Sequence, residues 1–117
     1  MVDLNELADR VERLTGPDRD VDALIKQALC IGKDWSRATP EASRVWSLHY
    51  TDSIDAAAAL RPDGAQYGCV SRDDTGRAWA WCSGPHSDYF GAGTQLANAA
   101  NPAIALTAAA LRARAVA

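Results

Sequence analysis

His86 is the first residue to test for chemistry, because an acid, Asp88, follows it two positions later in the segment "PHSDYF". An imidazole, a carboxylate and the Tyr89 hydroxyl are groups that proteins use for proton transfer and metal binding. An H-x-D spacing is too short to define a site, and a histidine in a polar, irregular segment is typically an ordinary loop residue. The sequence therefore predicts no catalytic residue and no metal ligand. It marks His86, Asp88, Tyr89 and Phe90 as a candidate binding loop.

Trp79 and Trp81 form the second candidate site, since aromatic side chains can stack on the bases of a single-stranded nucleic acid. That mode of binding also needs cationic groups, and Arg72 and Arg77 make a weak electrostatic frame for it. The segments "QYGCVSR" and "RAWAWCS" flank "DDTG", a pattern that predicts a β-hairpin with Arg72 opposite Arg77. This pairing places Val70 opposite Trp79.

The same register places Gly68 opposite Trp81 and gives the hairpin two different faces. Burial of the tryptophan face in the core is the favoured interpretation, because burying indole rings is a large stabilising term. In the alternative, alanine-rich helices cover the other face and leave the tryptophans accessible to a partner. That other face carries mostly small side chains: Tyr67, Cys69, Ala78, Ala80 and Cys82.

The remaining carboxylates have structural explanations. Asp73 and Asp74 lie in the predicted hairpin turn, where aspartate is favoured. The acids at 18, 20 and 22 share the spacing of a calcium loop but lack its glycine and distal glutamate, and they suit a helix N-terminus. No phosphate-binding glycine loop follows a strand, so no cofactor is predicted.

Composition places the chain among small globular proteins. Its 117 residues, of which 48% are hydrophobic, predict one domain over 1–117. The net charge of −3 comes from residues 1–30, which hold seven acids and four bases. No basic cluster supports binding to nucleic acid, and no apolar run predicts a membrane span. Three cysteines without C-x-x-C spacing and an acidic N-terminus predict a cytoplasmic protein.

The elements that must position these residues follow from apolar spacing. The pattern of residues 1–30 predicts a helix hairpin. Residues 45–83 are predicted to form a strand at 45–50, then a helix, then the β-hairpin. Residues 84–100 are expected to form a long loop, and 101–116 a buried C-terminal helix that Asn101 caps. The predicted fold is α+β, with a small antiparallel sheet of about three strands packed against the helix hairpin, the middle helix and the C-terminal helix.

Three segments, "LADRVERLTGPDRDVDALIKQAL", "YTDSIDAAAAL" with "PDG", and "NPAIALTAAALRARA", resemble small proteins of bacteriophages and prophages of high-GC bacteria. Those proteins place an "LTGPDR" helix hairpin and a "PALALxxAALRARA" helix around a variable middle. Residues 32–45 and 84–100 depart from that pattern, so no role carries over to these loops.

The resemblance implies a non-enzymatic accessory protein in the host cytoplasm that binds a host or phage protein, for example as an inhibitor of a bacterial defence such as CRISPR. Two hypotheses of other classes stay open. One is a small-molecule-binding or hydrolytic domain that uses His86 and Asp88, and the other is single-stranded nucleic-acid binding through Trp79 and Trp81. The sequence also leaves open whether the chain forms a homodimer.

Overall fold

The computed structural model describes residues 3–29, 48–62, 64–71, 75–84 and 94–116. Within these ranges the chain forms four helices and one three-stranded antiparallel sheet, which confirms the predicted α+β class. In chain order the elements are α1 (Leu4–Glu12), α2 (Arg19–Leu29), α3 (Ile54–Ala58), β1 (Tyr67–Val70), β2 (Ala78–Cys82), β3 (Gln95–Ala99) and α4 (Pro102–Ala115).

The sheet has the order β1-β2-β3, and the hairpin register agrees with the sequence prediction. Val70 lies opposite Trp79, and Gly68 lies opposite Trp81. Because side chains alternate along a strand, the sheet has two chemically different faces. We call the small-residue side the inner face, with Ala78, Ala80, Cys82, Ala97 and Ala99, and the other side the outer face, with Gly68, Val70, Trp79, Trp81, Leu96 and Asn98.

Helix α4 packs on the inner face and forms the centre of the core. The Asn101 side chain accepts a hydrogen bond from the Ile104 N–H (2.8 Å), and Pro102 opens the first turn, as the sequence predicts. Every residue of 103–111 is buried, because α4 contacts the three strands on one side and α1 and α3 on others. The alanines of the inner face let the helix approach the sheet closely. Because this buried part of the helix is covered on several sides, it is apolar around its circumference.

Two predictions about the strands are wrong. The strand expected at 45–50 is absent from its described part, where Leu48 and His49 are irregular and Tyr50 begins a turn; residues 45–47 lie outside the described ranges. The third strand is instead β3, inside the segment 84–100 that the sequence indicated as a loop. Alanine, asparagine and glutamine are weak strand formers, so "QLANA" shows little strand signal until it pairs with β2.

A buried carboxylate explains why the chain turns at Tyr50. Asp22 in α2 accepts hydrogen bonds from the backbone N–H and the hydroxyl of Thr51, each at 3.0 Å, and pairs with Arg19 at 3.0 Å. The Thr107 hydroxyl donates to the Tyr50 carbonyl (2.9 Å). Side chains from two helices therefore satisfy the backbone groups that strand pairing would have used.

The N-terminal helices are arranged differently from a simple hairpin. Helix α1 packs mainly against α4 and touches α2 at few positions. Asp18 caps α2, since its carboxylate accepts from the backbone N–H groups of Asp20 (2.9 Å) and Val21 (3.2 Å), which confirms the role expected at the helix N-terminus for this one of the three acids. Across the described parts of the chain, we find no helix with the length and apolar character to cross a membrane.

Candidate functional site

The outer face of the sheet exposes large apolar side chains on all three strands. Val70 is 56% exposed, Trp79 44% and Leu96 52%. Val70 is paired with Trp79 across β1 and β2, and Trp81 with Leu96 across β2 and β3, so these side chains adjoin one another. Adjoining exposed apolar side chains of this kind are typical of a protein interaction surface.

The favoured interpretation of the hairpin, with its tryptophan face in the core, is wrong. Ala78, Ala80 and Cys82 are at most 2% exposed beneath α4. A helix that presents mostly alanine can pack closely only on small residues, so α4 selects the inner face and leaves the indole of Trp79 on the outside. The structure therefore corresponds to the alternative in which the tryptophans lie on the accessible side.

Gly68 explains how Trp81 lies on this surface. A Cβ atom added to Gly68 would be 2.5 Å from Trp81 Nε1 and 2.9 Å from Cε2, so the indole lies directly against the β1 backbone. Trp81 is half-buried by this contact, whereas Trp79 extends further into solvent. Because of this glycine, the Trp81 ring lies flat on the outer face, whereas the Trp79 ring projects from it.

The outer edge of β3 is covered by charged side chains. The Asn98 N–H donates to Glu12 Oε2 (2.9 Å), and Arg112 donates to the Leu96 carbonyl (3.1 Å). Arg112 also pairs with Glu12 at 2.8 Å and with Asp9 at 2.7 Å. The hydrogen bond from Arg112, helped by the Asn98 N–H, lowers the pKa of Glu12 against the opposing effect of burial. These contacts hold α1 and α4 against the sheet edge.

A cavity of about 620 Å³ lies beside this edge. Its most polar members already bond to protein: Glu12 is paired with Arg112, and Arg77 donates to the Asn98 carbonyl (3.1 Å) and to the Asn98 side chain. The described residues that line it include neither histidine nor cysteine. They are Glu12, Arg13, Leu14, Thr15, Arg77, Asn98 and Ala100.

Of the residues that the sequence singled out, the structure places two on the outer face, Trp79 and Trp81, with Arg77 at the adjoining edge. Arg72 and the candidate binding loop lie outside the described ranges: His86, Asp88, Tyr89 and Phe90. The hypothesis of a hydrolytic site at His86 and Asp88 stays a prediction.

Two buried titratable groups of the described residues have structural explanations. Burial raises the pKa of the Cys82 thiol to about 11, although Arg61 and Arg114 oppose that rise, so this cysteine acts as a small apolar side chain. Asp22 is satisfied by Thr51 and Arg19 as described above. No group of three or more metal-ligating side chains occurs within the ranges that the structure covers.

No protein-family model matches the chain, and no curated protein or solved structure is significantly similar to it. The candidate site therefore depends on geometry alone. Sequence reasoning identified the two tryptophans and their register but missed Leu96 and Asn98, because it assigned their strand to a loop. It also missed the contact of Arg112 with Glu12, since residues 100 positions apart carry no local signal of contact.

Proposed function

We propose that this chain is a protein-binding accessory protein that engages a host or phage protein through the outer face of its sheet. The mode of action is non-enzymatic. The contact centres on Trp79, with Val70 and Leu96 around it. Tryptophan is enriched among the residues that dominate binding energy, and flanking apolar side chains exclude water from such a centre.

The exposure of these three side chains carries the proposal. Charged and polar residues are the common choice for the solvent side of a small antiparallel sheet, yet 44–56% of the surface of each of these apolar side chains is exposed. The fold leaves about half of each side chain in water, and burial of that surface against a partner would add roughly 25 cal/mol per Å² of apolar surface. A partner with an apolar patch of its own is therefore the class of protein that fits.

The biological setting comes from the resemblance of both chain ends to small phage and prophage proteins. It favours a target in the cytoplasm of an infected or lysogenic bacterium. Inhibition of a host defence such as CRISPR interference is the finer form of the proposal, and it is an association with the setting rather than a consequence of particular residues.

Affinity capture from a lysate of a high-GC bacterial host tests the proposal. The natural chain is compared with Leu96→Asp and Val70→Asp, which each place a charge within the outer face. Ile54→Asp is the matched control: Ile54 is 40% exposed at the start of α3, away from this face, where an acid is tolerated. We expect one host or phage protein to be captured by the natural chain and the control, and to be reduced at least about tenfold by either outer-face variant.

Capture that survives both outer-face substitutions would overturn the proposed surface, and the absence of any specific protein would overturn protein binding itself. Titration with single-stranded oligonucleotides runs in parallel. Quenching of tryptophan fluorescence that weakens with salt would instead indicate nucleic-acid binding through the same tryptophans.

A further inference from the structure

The two edges of the sheet differ in how their backbone groups are satisfied. On β3, the Leu96 carbonyl and both the N–H and the carbonyl of Asn98 bond to side chains of Arg112, Glu12 and Arg77. This arrangement takes the place of a further strand. It also shows that Asn98 directs its backbone away from β2, so its partner Trp79 must direct its own backbone towards β1.

The alternation of the ladder then defines the edge of β1. The Ser83 N–H donates to the Gln66 carbonyl (2.9 Å), which continues the β1–β2 pairing by one position. Gln66, Gly68 and Val70 therefore face β2, while Tyr67 and Cys69 direct their N–H and carbonyl groups outward. Within the described parts of the chain, we find no hydrogen bond to these four outward-facing groups.

We propose that the open edge of β1 pairs antiparallel with β1 of a second copy of this chain, forming one continuous six-stranded sheet. Two unpaired N–H groups and two unpaired carbonyls, spaced along an extended strand, are the complement of another extended strand. β1 has the sequence "YGCV" and carries neither charge nor proline, so nothing in it repels or blocks its own copy.

The register of this pairing follows from the outward-facing groups. A two-fold axis at Gly68 places Tyr67 of each copy opposite Cys69 of the other, so that all four outward-facing groups of each strand are bonded and Gly68 lies opposite Gly68. Gly68 has no side chain, and the Trp81 indole of the same copy lies over it, so no side chain of β1 projects from the outer face at the axis.

The covered edge of β3 limits the assembly to two copies. A chain with two open edges could add strands without end, whereas one open edge gives a closed two-fold dimer. The residues that cover β3 therefore do more than attach α1 to the sheet. They also restrict pairing between two copies to the β1 edge.

Sedimentation of the natural chain over a range of concentrations tests this inference, together with Cys69→Pro. Proline removes an outward N–H that the β1–β2 ladder does not use, so the sheet can keep its fold. Cys69→Ala is the matched control because it retains the N–H. We expect twice the 12.5 kDa chain mass for the natural chain and for Cys69→Ala, and the single-chain mass for Cys69→Pro.

Amide hydrogen exchange in the natural chain gives an independent measurement that needs no variant. We expect the N–H groups of Tyr67 and Cys69 to exchange at least about tenfold faster on dilution, while those of Gly68 and Val70 stay protected by β2. A single-chain mass at all concentrations, a dimer that survives Cys69→Pro, or exchange at Tyr67 and Cys69 that is independent of concentration would overturn the proposal.

Discussion

The two faces of one three-stranded sheet follow opposite rules. On the inner face, small side chains such as Ala80 and Ala97 are 2% exposed, and a helix with no exposed residue between positions 103 and 111 covers them. On the outer face, Trp79 and Leu96 are about half exposed. The larger apolar side chains of the sheet thus lie on its more exposed face, whereas stability alone would favour their burial.

Close approach between a helix and a sheet explains this difference. An interior is packed at the density of an organic crystal, so a helix of alanines needs small partners, and two tryptophans beneath α4 would force it away from the sheet. The core therefore gains its stability from close contact over many small groups. Trp79 and Leu96 lie on the other side of the sheet, and an intermolecular contact is the role that we propose for them.

The same substitution made on each side of the sheet should have very different effects. We expect Leu106→Ala, at a fully buried position of α4, to lower the free energy of unfolding by about 2–5 kcal/mol because it leaves a cavity. Leu96→Ala on the outer face should cost less than about 1 kcal/mol. Urea unfolding measures both values, and equal losses would show that the outer face contributes as much to the folded core as α4 does.

The register and the two different faces of the hairpin could be predicted from the sequence, but not which face is buried. The alternation in "RAWAWCS" and the turn at "DDTG" indicate the register and the two faces of the hairpin, because both depend on neighbouring residues. Which face is buried depends on α4, which begins 20 residues after Cys82. Indole size alone favoured the wrong face, whereas the alanine content of α4 decided it.

The strand assignments show the same limit. "VWSLHY" alternates in a way typical of a strand, yet Tyr50 begins a turn. The turn forms because Thr107 and Asp22 bond to backbone groups at 50 and 51. "QLANA" has little local signal and becomes a strand through pairing with β2. Local pattern is therefore a good guide where neighbours decide the structure, and a poor guide where partners distant in sequence supply the hydrogen bonds.

Gly68→Ala should disturb the one position at which the outer face is tightly packed. The new methyl group would lie 2.5 Å from Trp81 Nε1, closer than van der Waals contact allows, so the ring must move. We expect a loss of about 1–3 kcal/mol in unfolding free energy. Gly16→Ala is the control, because a Cβ there has no atom within 4 Å. If both variants unfold at the same urea concentration, Trp81 does not depend on its contact with β1.

Glu12→Gln should have the smallest effect on the free energy of unfolding. Glu12 lies at the outer edge of β3, where it accepts from the Asn98 N–H. The hydrogen bond with Arg112 lowers the pKa of Glu12 below its usual 4.5 in the folded chain. A carboxylate with a lowered pKa stabilises the fold fully above its unfolded pKa, and this contribution is lost as the pH falls through the folded value. We expect Glu12→Gln to cost about 1 kcal/mol at neutral pH and nothing at the acid end of the titration.

Glu6→Gln provides the control for that measurement, since Glu6 is exposed in the same helix. Unfolding free energies between pH 7 and pH 2 should then fall less steeply below pH 4.5 for Glu12→Gln than for the natural chain or Glu6→Gln. Parallel curves for all three proteins would mean that the Asn98 N–H and Arg112 are held at the β3 edge without the Glu12 charge. In that case the β3 edge would be covered by the packing of α1 and by the hydrogen bonds of Arg77 and Arg112, without a contribution from the Glu12 charge.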